Sequence, residues 1–425
     1  MKPLVLLVKP PERSSFNFGT FSLAVLAASI RATANVLIVD ATEETPDDAV
    51  EAIRRAHPDV VGITVMGLKS VPPVASFVQK LRASYGGVSV PRIVAGGHGA
   101  SMLPVPLLEA GADAVVIGEG ERTFRSILKE GIRPDMRGIA CLVEGRPRIG
   151  PAPGFVEPLD QVAFPARDLI PPPPTGIHLM ETSRGCPHAC RFCETTRFFG
   201  THWRPHSPER VVSEIRRLVD DYDAWMIQFS DDNFAADAGR VLEICALLKG
   251  ERLPAFFLAS ARADDLLSDD ALLPAMAKAR ISRISVGVET LDTQTAARAG
   301  KAILPETYAE VFHRMRELGM FSVASLIVGL PGETPAAREK AVEQTVAAGP
   351  DSAHFLPFLP LPGIPLADGY DTYDPAERDV IDADRMTQAF FEHATVIDRL
   401  RSAAGNDGVR GLLARATLAK RGMGA

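Results

Sequence analysis

The sequence predicts an α/β protein with an N-terminal doubly wound parallel sheet, a partial (β/α)6 barrel of the TIM type and a short helical C-terminal tail. Apolar strand-like runs alternate with amphipathic helical runs in two stretches of the chain, which is typical of parallel sheets covered by helices. A proline-rich segment separates these stretches. At 425 residues the chain is also too long for a single hydrophobic core.

The first stretch, residues 1–145, contains five short apolar runs with helical patterns between them. These runs are 3–8, 35–41, 60–66, 91–97 and 112–120. They predict a five-stranded, Rossmann- or flavodoxin-like sheet domain whose ligand crevice lies beyond the carboxyl ends of the strands. Residues 146–176 follow, and their many prolines exclude helix interiors and central strands. This segment is predicted to be a semi-rigid linker.

The second stretch, residues 177–365, contains six strand candidates separated by helical patterns. They are 177–183, 224–232, 255–262, 283–289, 321–330 and 352–358. Six such units predict an incomplete parallel barrel with its chemistry at the carboxyl ends of the strands. Residues 366–425 read as a helical tail, which we expect to pack over the barrel mouth or to form a plain amphipathic cap.

Composition excludes several classes of function. A net charge of −7 opposes binding to a nucleic-acid backbone. No apolar run reaches the roughly 20 residues of a membrane span, and the N-terminus does not read as a signal peptide. We therefore expect a cytoplasmic protein, in which clustered cysteines indicate metal binding or thiol chemistry more often than disulfides. Cys141 and Cys245 stand alone in the sequence and are expected to be core thiols.

Three of the five cysteines lie within eight positions. The segment "TSRGCPHACRFCETT" places Cys186, Cys190 and Cys193 in a C-x3-C-x2-C pattern. The residues alone leave two interpretations open. Zinc could be bound by the three thiolates and His188, or an iron–sulfur cluster could be held by three thiolates, which leaves one iron open to a substrate.

This segment resembles the cysteine motif of the radical S-adenosylmethionine (SAM) superfamily, in which an aromatic residue precedes the last cysteine. Phe192 fills that position. The resemblance, which extends through the second domain, implies a [4Fe-4S] cluster held by Cys186, Cys190 and Cys193. It also implies that SAM binds the open iron and is cleaved to a 5′-deoxyadenosyl radical, with Phe192 part of the SAM site.

The same resemblance implies further SAM-binding residues at the strand ends. Asp231 and Asp232 in "FSDDNFAAD" would approach the SAM amino group, although either could instead cap a helix. Arg262 and Glu289 would bind the SAM carboxylate and the ribose hydroxyls, unless they are ordinary surface residues. Gly329 in "LIVGLPGET" would let the backbone approach the adenine.

The first domain resembles the cobalamin-binding domain of B12-dependent radical SAM enzymes. The segments "DVVGITVMG", "IVAGGHGASMLP" and "ADAVVIGEGERTF" carry this resemblance. It implies that these loops enclose the nucleotide tail of cobalamin, with the candidate residues Thr64, Gly96, Gly97, His98, Gly118 and Glu119. Without the motif, His98 would be an ordinary loop histidine and Gly118 a turn former.

The Asp-x-His-x-x-Gly signature that supplies a histidine to cobalt in cobalamin mutases is absent. The segment "KPPERSSFNFG" after the first strand contains no histidine. We therefore predict a corrinoid without a histidine ligand from that loop. A sheet domain that has lost its cofactor is the alternative.

Together, these resemblances predict a cobalamin-dependent radical SAM methyltransferase that methylates an unactivated carbon of a small-molecule substrate. One SAM would remethylate cobalamin and a second would generate the radical, with electrons from an external reductant such as flavodoxin or ferredoxin. The residues suggest no general base. An oxidative cyclase or ring-rearranging enzyme is the main alternative, and a corrinoid sensor is an alternative of another class. A tRNA methylthiotransferase would have further cluster cysteines and a basic RNA-binding module, and neither is visible in the sequence.

Overall fold

The computed structural model describes residues 2–11, 20–86, 90–368, 376–406 and 408–423. The chain divides into two compact units, Met1–Pro173 and Pro174–Ala425. Both are α/β units built on parallel strands, as the sequence predicts. In the described residues, no helix has the length and apolar character needed to cross a bilayer.

The sheet of the first unit has seven strands. They are β1 (Leu4–Lys9), β2 (Asn35–Asp40), β3 (Val60–Thr64), β4 (Arg92–Gly96), β5 (Ala114–Val116), β6 (Ile139–Val143) and β7 (Arg146–Ile149). Their order is β2-β1-β3-β4-β5-β6-β7, and the first five are parallel. This is the order of a flavodoxin-like doubly wound sheet. The sequence predicts only those five strands, whereas β6 and β7 extend the sheet as an antiparallel hairpin.

Helices cover both faces of this sheet. They are α1 (Phe21–Ile30), α2 (Pro46–Ala56), α3 (Val71–Ser84), α4 (His98–Met102), α5 (Pro104–Glu109) and α6 (Gly120–Glu130). Two buried clusters lie on opposite faces of β1, with Leu6 and Val8 in one and Val5 and Leu7 in the other. Because side chains alternate along a strand, a continuous apolar strand supplies both cores at once.

The proline-rich segment packs against the first unit. Val156, Leu159 and Val162 form a small buried cluster with Val25 of α1, and Asp168 pairs with Arg31 at 2.9 Å. Sequence analysis places a linker at 146–176. In the structure β7 occupies the start of that range, and the unit boundary falls between residues 173 and 174.

The second unit contains a six-stranded parallel sheet and a small two-stranded ladder. Its strands are β8 (Ile177–Met180), β9 (Ser183–Arg184), β10 (Arg204–Pro205), β11 (Met226–Phe229), β12 (Phe256–Ala261), β13 (Ile281–Glu289), β14 (Phe321–Val328) and β15 (Ser352–Pro357). The order of the large sheet is β15-β14-β13-β12-β11-β8, and every neighbouring pair is parallel. This is the predicted (β/α)6 arrangement.

Helices lie between and after these strands. They are α7 (Glu194–Phe199), α8 (Pro208–Tyr222), α9 (Ala238–Glu251), α10 (Ala263–Leu266), α11 (Leu272–Lys278), α12 (Thr293–Arg298), α13 (Pro305–Glu317), α14 (Pro335–Ala348), α15 (Glu377–Glu392), α16 (Ala394–Ala404) and α17 (Val409–Lys420). Ser207 caps α8 by accepting a hydrogen bond from the Arg210 N–H, and Pro208 occupies the first helical position. These are the residue types that start helices efficiently.

The described part of the C-terminal tail is helical, as predicted, and its last helix lies away from the barrel mouth. α15 packs along β14 and β15. Arg410 of α17 then pairs at 2.6 Å with Asp351, which precedes β15, and α17 packs against β13 and β14. The tail therefore reaches the amino ends of the strands, opposite the edge where barrel chemistry occurs.

Candidate functional site

The cysteine segment begins just beyond the carboxyl end of β8. β9 and β10 pair antiparallel on either side of the segment and so hold its two ends together. Gly185 has φ +79, and a Cβ there would lie 2.5 Å from the carbonyl oxygen of His202. Glycine is therefore required immediately before Cys186 if the backbone is to turn this tightly.

The three thiols differ in exposure. Cys190 is buried, whereas Cys186 and Cys193 are partly exposed, and all are free of disulfides. The Cys193 N–H donates to the Cys190 carbonyl at 3.2 Å, which brings the last two cysteines into one turn before α7. Phe192, between them in sequence, is partly buried.

The three thiols and the loop histidine do not converge on one point. Among the described residues, no three His, Cys, Asp or Glu side chains surround a point that a single metal ion could occupy. His188, the fourth ligand of the zinc alternative, instead places Nε2 2.8 Å from Asp265 Oδ2. In an iron–sulfur cluster each thiolate binds a different iron, so the sulfurs need not converge. The donor set therefore fits such a cluster better than zinc.

Basic side chains lie beside the buried thiol. Arg262 Nη1 is 3.3 Å from Cys190 Sγ. Burial raises the pKa of Cys190, although Lys301 and Arg262 act to lower it. Burial also raises the pKa of Cys186 to about 11, with Cys193 and Asp232 adding to the effect. Without a metal, both thiols are therefore protonated at neutral pH, and metal binding must displace their protons.

Arg262 follows β12 at the carboxyl end of the barrel, as predicted. Its Nε and Nη2 donate to the two carboxylate oxygens of Asp264 at 3.0 and 2.8 Å. Its own N–H donates to Asn233 Oδ1 at 3.2 Å. The guanidinium is thus held in a fixed orientation by one carboxylate and one thiol, and it is not an ordinary mobile surface arginine.

Glu289 ends β13 in a backbone conformation that is rare for a residue with a side chain. Its φ is +65, next to a register shift in the pairing of β13 with β14. Lys301 Nζ lies 3.0 Å from Glu289 Oε1 and donates to the Gly287 carbonyl at 2.8 Å. The carboxylate is therefore already paired with a buried lysine, which the sequence analysis did not identify.

Asp231 is buried and holds two strand ends together. Its Oδ1 accepts from the Thr182 N–H at 2.7 Å, and its Oδ2 accepts from the hydroxyls of Thr182 and Ser183. Burial raises the pKa of this carboxyl despite these hydrogen bonds and the nearby Arg240. Its contacts support a role in fixing β9 against the end of β11 and thereby placing the cysteine segment.

Asp232 is exposed and lies nearer the cysteines. Its Oδ1 accepts from the Thr195 hydroxyl at 2.6 Å, just past Cys193. The helix-cap alternative is wrong for both carboxylates, because Asp237 caps α9 by accepting from the Arg240 N–H at 3.0 Å. Asp232 therefore caps no helix and is tied to the residue two positions after Cys193.

Gly329 lies directly after β14 with φ +86. Its N–H donates to Glu333 Oε2 at 2.8 Å. A Cβ at this position would collide with the carboxylate of Asp379 in α15. Arg338 binds both carboxylates, at 2.6 Å to Glu333 and 2.9 Å to Asp379. The tail therefore supplies a charged group to the predicted adenine-binding backbone.

The cobalamin candidates of the first unit gather at one edge of its sheet. Thr64 and Gly96 are register partners at the carboxyl ends of β3 and β4. Gly97 has φ +113, and a Cβ there would lie 2.6 Å from the Val65 carbonyl oxygen, so this close turn requires glycine. His98 follows as the first residue of α4 and is partly buried.

The remaining two cobalamin candidates follow β5 at the same edge. Gly118 has φ +77, and its N–H donates to Ser101 Oγ at 3.0 Å. Glu119 is buried, and its Oε2 accepts from the Val156 N–H at 2.7 Å. Glu119 therefore anchors the proline-rich segment. The loop after β1, from which a lower cobalt ligand is predicted to be absent, lies mostly outside the described residues.

Sequence reasoning did not name two polar residues that support the cysteine segment. Asn233 is fully buried and donates from Nδ2 to Asp265 Oδ2 at 2.6 Å. Burial alone would raise the pKa of Asp265, but hydrogen bonds from His188 and Asn233 lower it. Both residues lie in segments already selected for their neighbours, "FSDDNFAAD" and "SARADDL". Asp265 orients the loop histidine, His188. The presence of this carboxylate in a segment already selected could have identified it.

Two family models match the chain. The radical SAM superfamily matches residues 180–345, which include the cysteine segment and β11 to β14. The B12 binding domain matches residues 14–128, which include the three cobalamin-candidate loops. The two models therefore divide along the same lines as the two structural units.

Individual proteins extend this similarity over most of the chain. An uncharacterized methyltransferase of Pyrococcus horikoshii is 30% identical over 387 residues, covering 85% of this chain and 82% of the relative. The anaerobic magnesium-protoporphyrin IX monomethyl ester cyclase of Rubrivivax gelatinosus is 27% identical over 360 residues, and the match covers 80% of this chain and 64% of the cyclase.

A solved structure has the same fold. The radical S-adenosylmethionine methyltransferase TsrM from Kitasatospora setae superposes with a TM-score of 0.71 at 18% identity, covering 86% of this chain and 75% of TsrM. Together with the family models and the Pyrococcus relative, this confirms the resemblance found in the sequence. The chain belongs to the radical SAM superfamily, in the branch that joins a B12-binding domain to the radical SAM domain.

Proposed function

We propose that this protein is a cobalamin-dependent radical SAM methyltransferase that acts on an unactivated carbon of a small molecule. The observation that carries the proposal is the gathering of three free thiols on one segment at the carboxyl edge of a parallel barrel. The cofactors are a [4Fe-4S] cluster, SAM and cobalamin. When bound, they supply the radical that activates the substrate and the methyl group that is transferred.

The proposal assigns roles to the residues at the barrel mouth. Cys186, Cys190 and Cys193 hold the cluster. Arg262 offsets negative charge beside Cys190, because its guanidinium lies 3.3 Å from that sulfur. Asp231 positions the segment through its three hydrogen bonds to Thr182 and Ser183.

The SAM site is proposed to include Phe192, Asp232, Arg262, Glu289 and Gly329. Asp232 is supported because it is exposed and accepts a hydrogen bond from Thr195 in α7. Glu289 is supported by its strained backbone and its buried partner Lys301 at 3.0 Å, since strain of this kind persists where the surrounding structure enforces it. Asp231 is proposed as a positioning residue, because Thr182 and Ser183 already bind both of its oxygens.

The cobalamin site is proposed at the carboxyl edge of the first sheet. The contributing residues are Thr64, Gly96, Gly97, His98, Gly118 and Glu119. Gly97 supports this assignment because its backbone turns closely against Val65, and α4 therefore begins at that edge. An external one-electron reductant such as flavodoxin or ferredoxin is the proposed partner. The free thiols also support a cytoplasmic location, where a reducing environment keeps them available to iron.

The test uses the full chain, reconstituted anaerobically with iron, sulfide and cobalamin. With dithionite and SAM labelled in its methyl group, we expect 5′-deoxyadenosine and labelled methylcobalamin. Neither product requires the substrate to be known. Formation of 5′-deoxyadenosine without label on cobalamin would favour cyclisation or rearrangement, and a protein that forms neither would contradict the proposal.

Cysteine variants test the cluster assignment directly. Cys193→Ala should lose most of its iron and its 5′-deoxyadenosine. Cys245→Ala is the matched control, because Cys245 is buried in α9 away from the segment, 4% exposed in the hydrophobic core. Equal iron content in the two variants would contradict the assignment.

A further inference from the structure

The inward face of the barrel sheet can be identified from the alternation along β13. Ile284, Val286 and Val288 are 0%, 0% and 2% exposed and belong to the core beneath the helices. Arg283 and Ser285 alternate with them and must point to the opposite, concave face. A charged residue therefore lies on the inside of the incomplete barrel.

This concave face carries polar side chains that solvent can reach, although the register partners of Arg283 itself, Leu258 and Phe321, are buried and apolar. Ser285 pairs in register with Ser260 of β12, and both are partly exposed. On the other side, Ser325 of β14 pairs with His354 of β15, which is exposed. The outer face of the same strands is closed and apolar, so a polar ligand could reach these strands only from the concave face.

Among the residues that the structure describes, Arg283 pairs with no carboxylate. Within the described residues its side chain makes one hydrogen bond, from Nη2 to Ser285 Oγ at 3.2 Å. Burial lowers the pKa of this guanidinium. A partly buried cation without a counter-charge costs folding free energy unless something compensates it.

Further positive charges lie near His354, on which Arg283 also acts. Partial burial lowers the pKa of His354, and the nearby charges of Arg283, Arg421 and Lys420 lower it further. The last two residues come from the C-terminal end of α17. Glu289, at the carboxyl end of the same strand, is already neutralised by Lys301 at 3.0 Å.

We propose that Arg283 binds an anionic group of the substrate, a carboxylate or a phosphate ester, on the floor of the barrel. This rests on the proposed function, since it names the class of small molecule that the enzyme methylates. The guanidinium reaches Ser285, four residues before Glu289 at the carboxyl edge. At about 3.3 Å per residue, the anion would lie roughly 13 Å below that edge. The substrate would therefore be elongated, with its charge remote from the reacting carbon.

The site can be tested without a known substrate by using inorganic phosphate as the probe. The reporter is the His354 imidazole, followed by NMR in the full chain labelled at histidine and assigned with His354→Gln. In wild type, phosphate should raise the pKa of His354 by about one unit relative to chloride at equal ionic strength. Arg283→Gln should raise the pKa without phosphate and abolish most of the phosphate response.

The control is Arg217→Gln, which removes the same charge from the exposed surface of α8 and should respond to phosphate like wild type. If Arg283→Gln does not fold, Arg283→Lys should retain a weaker response. An unresponsive wild type, or an equal response in both Arg283 variants and wild type, would overturn the proposal.

The outcome is separable from that of the proposed function. Arg283→Gln should still form 5′-deoxyadenosine, because the cysteine segment lies at the other end of the strands. If wild type responds to phosphate but never cleaves SAM, the anion site stands and the proposed function fails. If wild type cleaves SAM but does not respond to phosphate, the reverse holds.

Discussion

Arg262 Nη1 lies 3.3 Å from Cys190 Sγ. The two residues are 72 positions apart in sequence and meet because β12 and the cysteine segment share one edge of the barrel. Asp264 orients the guanidinium from the other side at 2.8 Å. The arginine is therefore fixed before any cofactor binds, and it places positive charge beside a sulfur that must become a thiolate.

Replacing this arginine should impair SAM cleavage more than folding. A hydrogen bond to a charged group contributes about 1.5–3 kcal/mol, so Arg262→Gln should lower the rate of 5′-deoxyadenosine formation by about tenfold or more. Arg262→Lys keeps the charge but loses the forked geometry and should be intermediate. Iron content and initial rates should be measured together. Unchanged kinetics with full iron content would show that the contact has no role in the reaction.

Gly287 should be intolerant of even a methyl group. A Cβ there would lie 2.5 Å from Glu289 Oε1 and 2.8 Å from Lys301 Nζ. Gly287→Ala should therefore separate the buried ion pair and displace Glu289 from the barrel mouth. Inserting a methyl group into a packed site costs about 1–3 kcal/mol, which urea unfolding would detect alongside weaker SAM binding.

The matched control for Gly287 is Gly250→Ala near the end of α9. A Cβ at Gly250 meets nothing within 4 Å, and its φ lies outside the left-handed region. Alanine is favoured over glycine in helices by about 1 kcal/mol, so this variant should be neutral or more stable. Similar losses in the two variants would mean that the ion pair does not explain the requirement at Gly287.

The strand and helix order could be predicted because parallel strands carry continuous apolar runs. The hairpin of β6 and β7 could not. All four residues of β7 are exposed, and its proline made the segment read as part of a linker. Burial of Val156 and Leu159 against α1 depends on tertiary packing, which the local proline content does not reveal.

The site shows the same division between local and long-range signals. The cysteines stand out by their spacing, and Gly329 is implied by the resemblance of a short local segment to a family motif. Lys301 could not be identified in this way, because its importance comes from reaching back across 12 positions to Glu289. The resemblance implies that Asp231 approaches SAM, but the sequence could not show that Thr182 and Ser183 already occupy its oxygens.

Glu181 should make stability depend on acid pH. Burial alone would raise the pKa of this carboxyl, but Arg184 and His206 together lower it to about 2. Because the folded-state pKa is depressed, the stabilisation is complete above the unfolded value near 4.5 and is lost as pH falls toward 2. The contribution is about 3 kcal/mol at neutral pH.

The measurement is urea unfolding of wild type and Glu181→Gln at several pH values. The difference in unfolding free energy should be constant above about pH 5 and shrink below it. Glu251→Gln removes a carboxylate from an exposed pair with Arg216 and should show a smaller difference. A gap between wild type and Glu181→Gln that stays constant down to acid pH would contradict the assigned pKa.

Gly329 and Asp379 should be energetically coupled, because a Cβ at Gly329 would enter the space of the Asp379 carboxylate. Gly329→Ala should destabilise the protein, through this collision and through its φ of +86. Asp379→Ala removes the collision but leaves Arg338 bound to Glu333 and Asp382, at 2.6 and 2.7 Å. The double variant should therefore be more stable than the sum of the two single effects predicts, by about 1–3 kcal/mol.

Asp382→Ala provides the control for this cycle. Asp382 binds Arg338 but is not among the nearest atoms to a Cβ at Gly329. Combined with Gly329→Ala, it should give an additive loss of unfolding free energy, within about 0.5 kcal/mol. Additivity in both cycles would mean that α15 does not constrain the backbone at Gly329. Coupling confined to Asp379 would show that the C-terminal tail sets the shape of the proposed adenine site, because that carboxylate is the tail's contact with it.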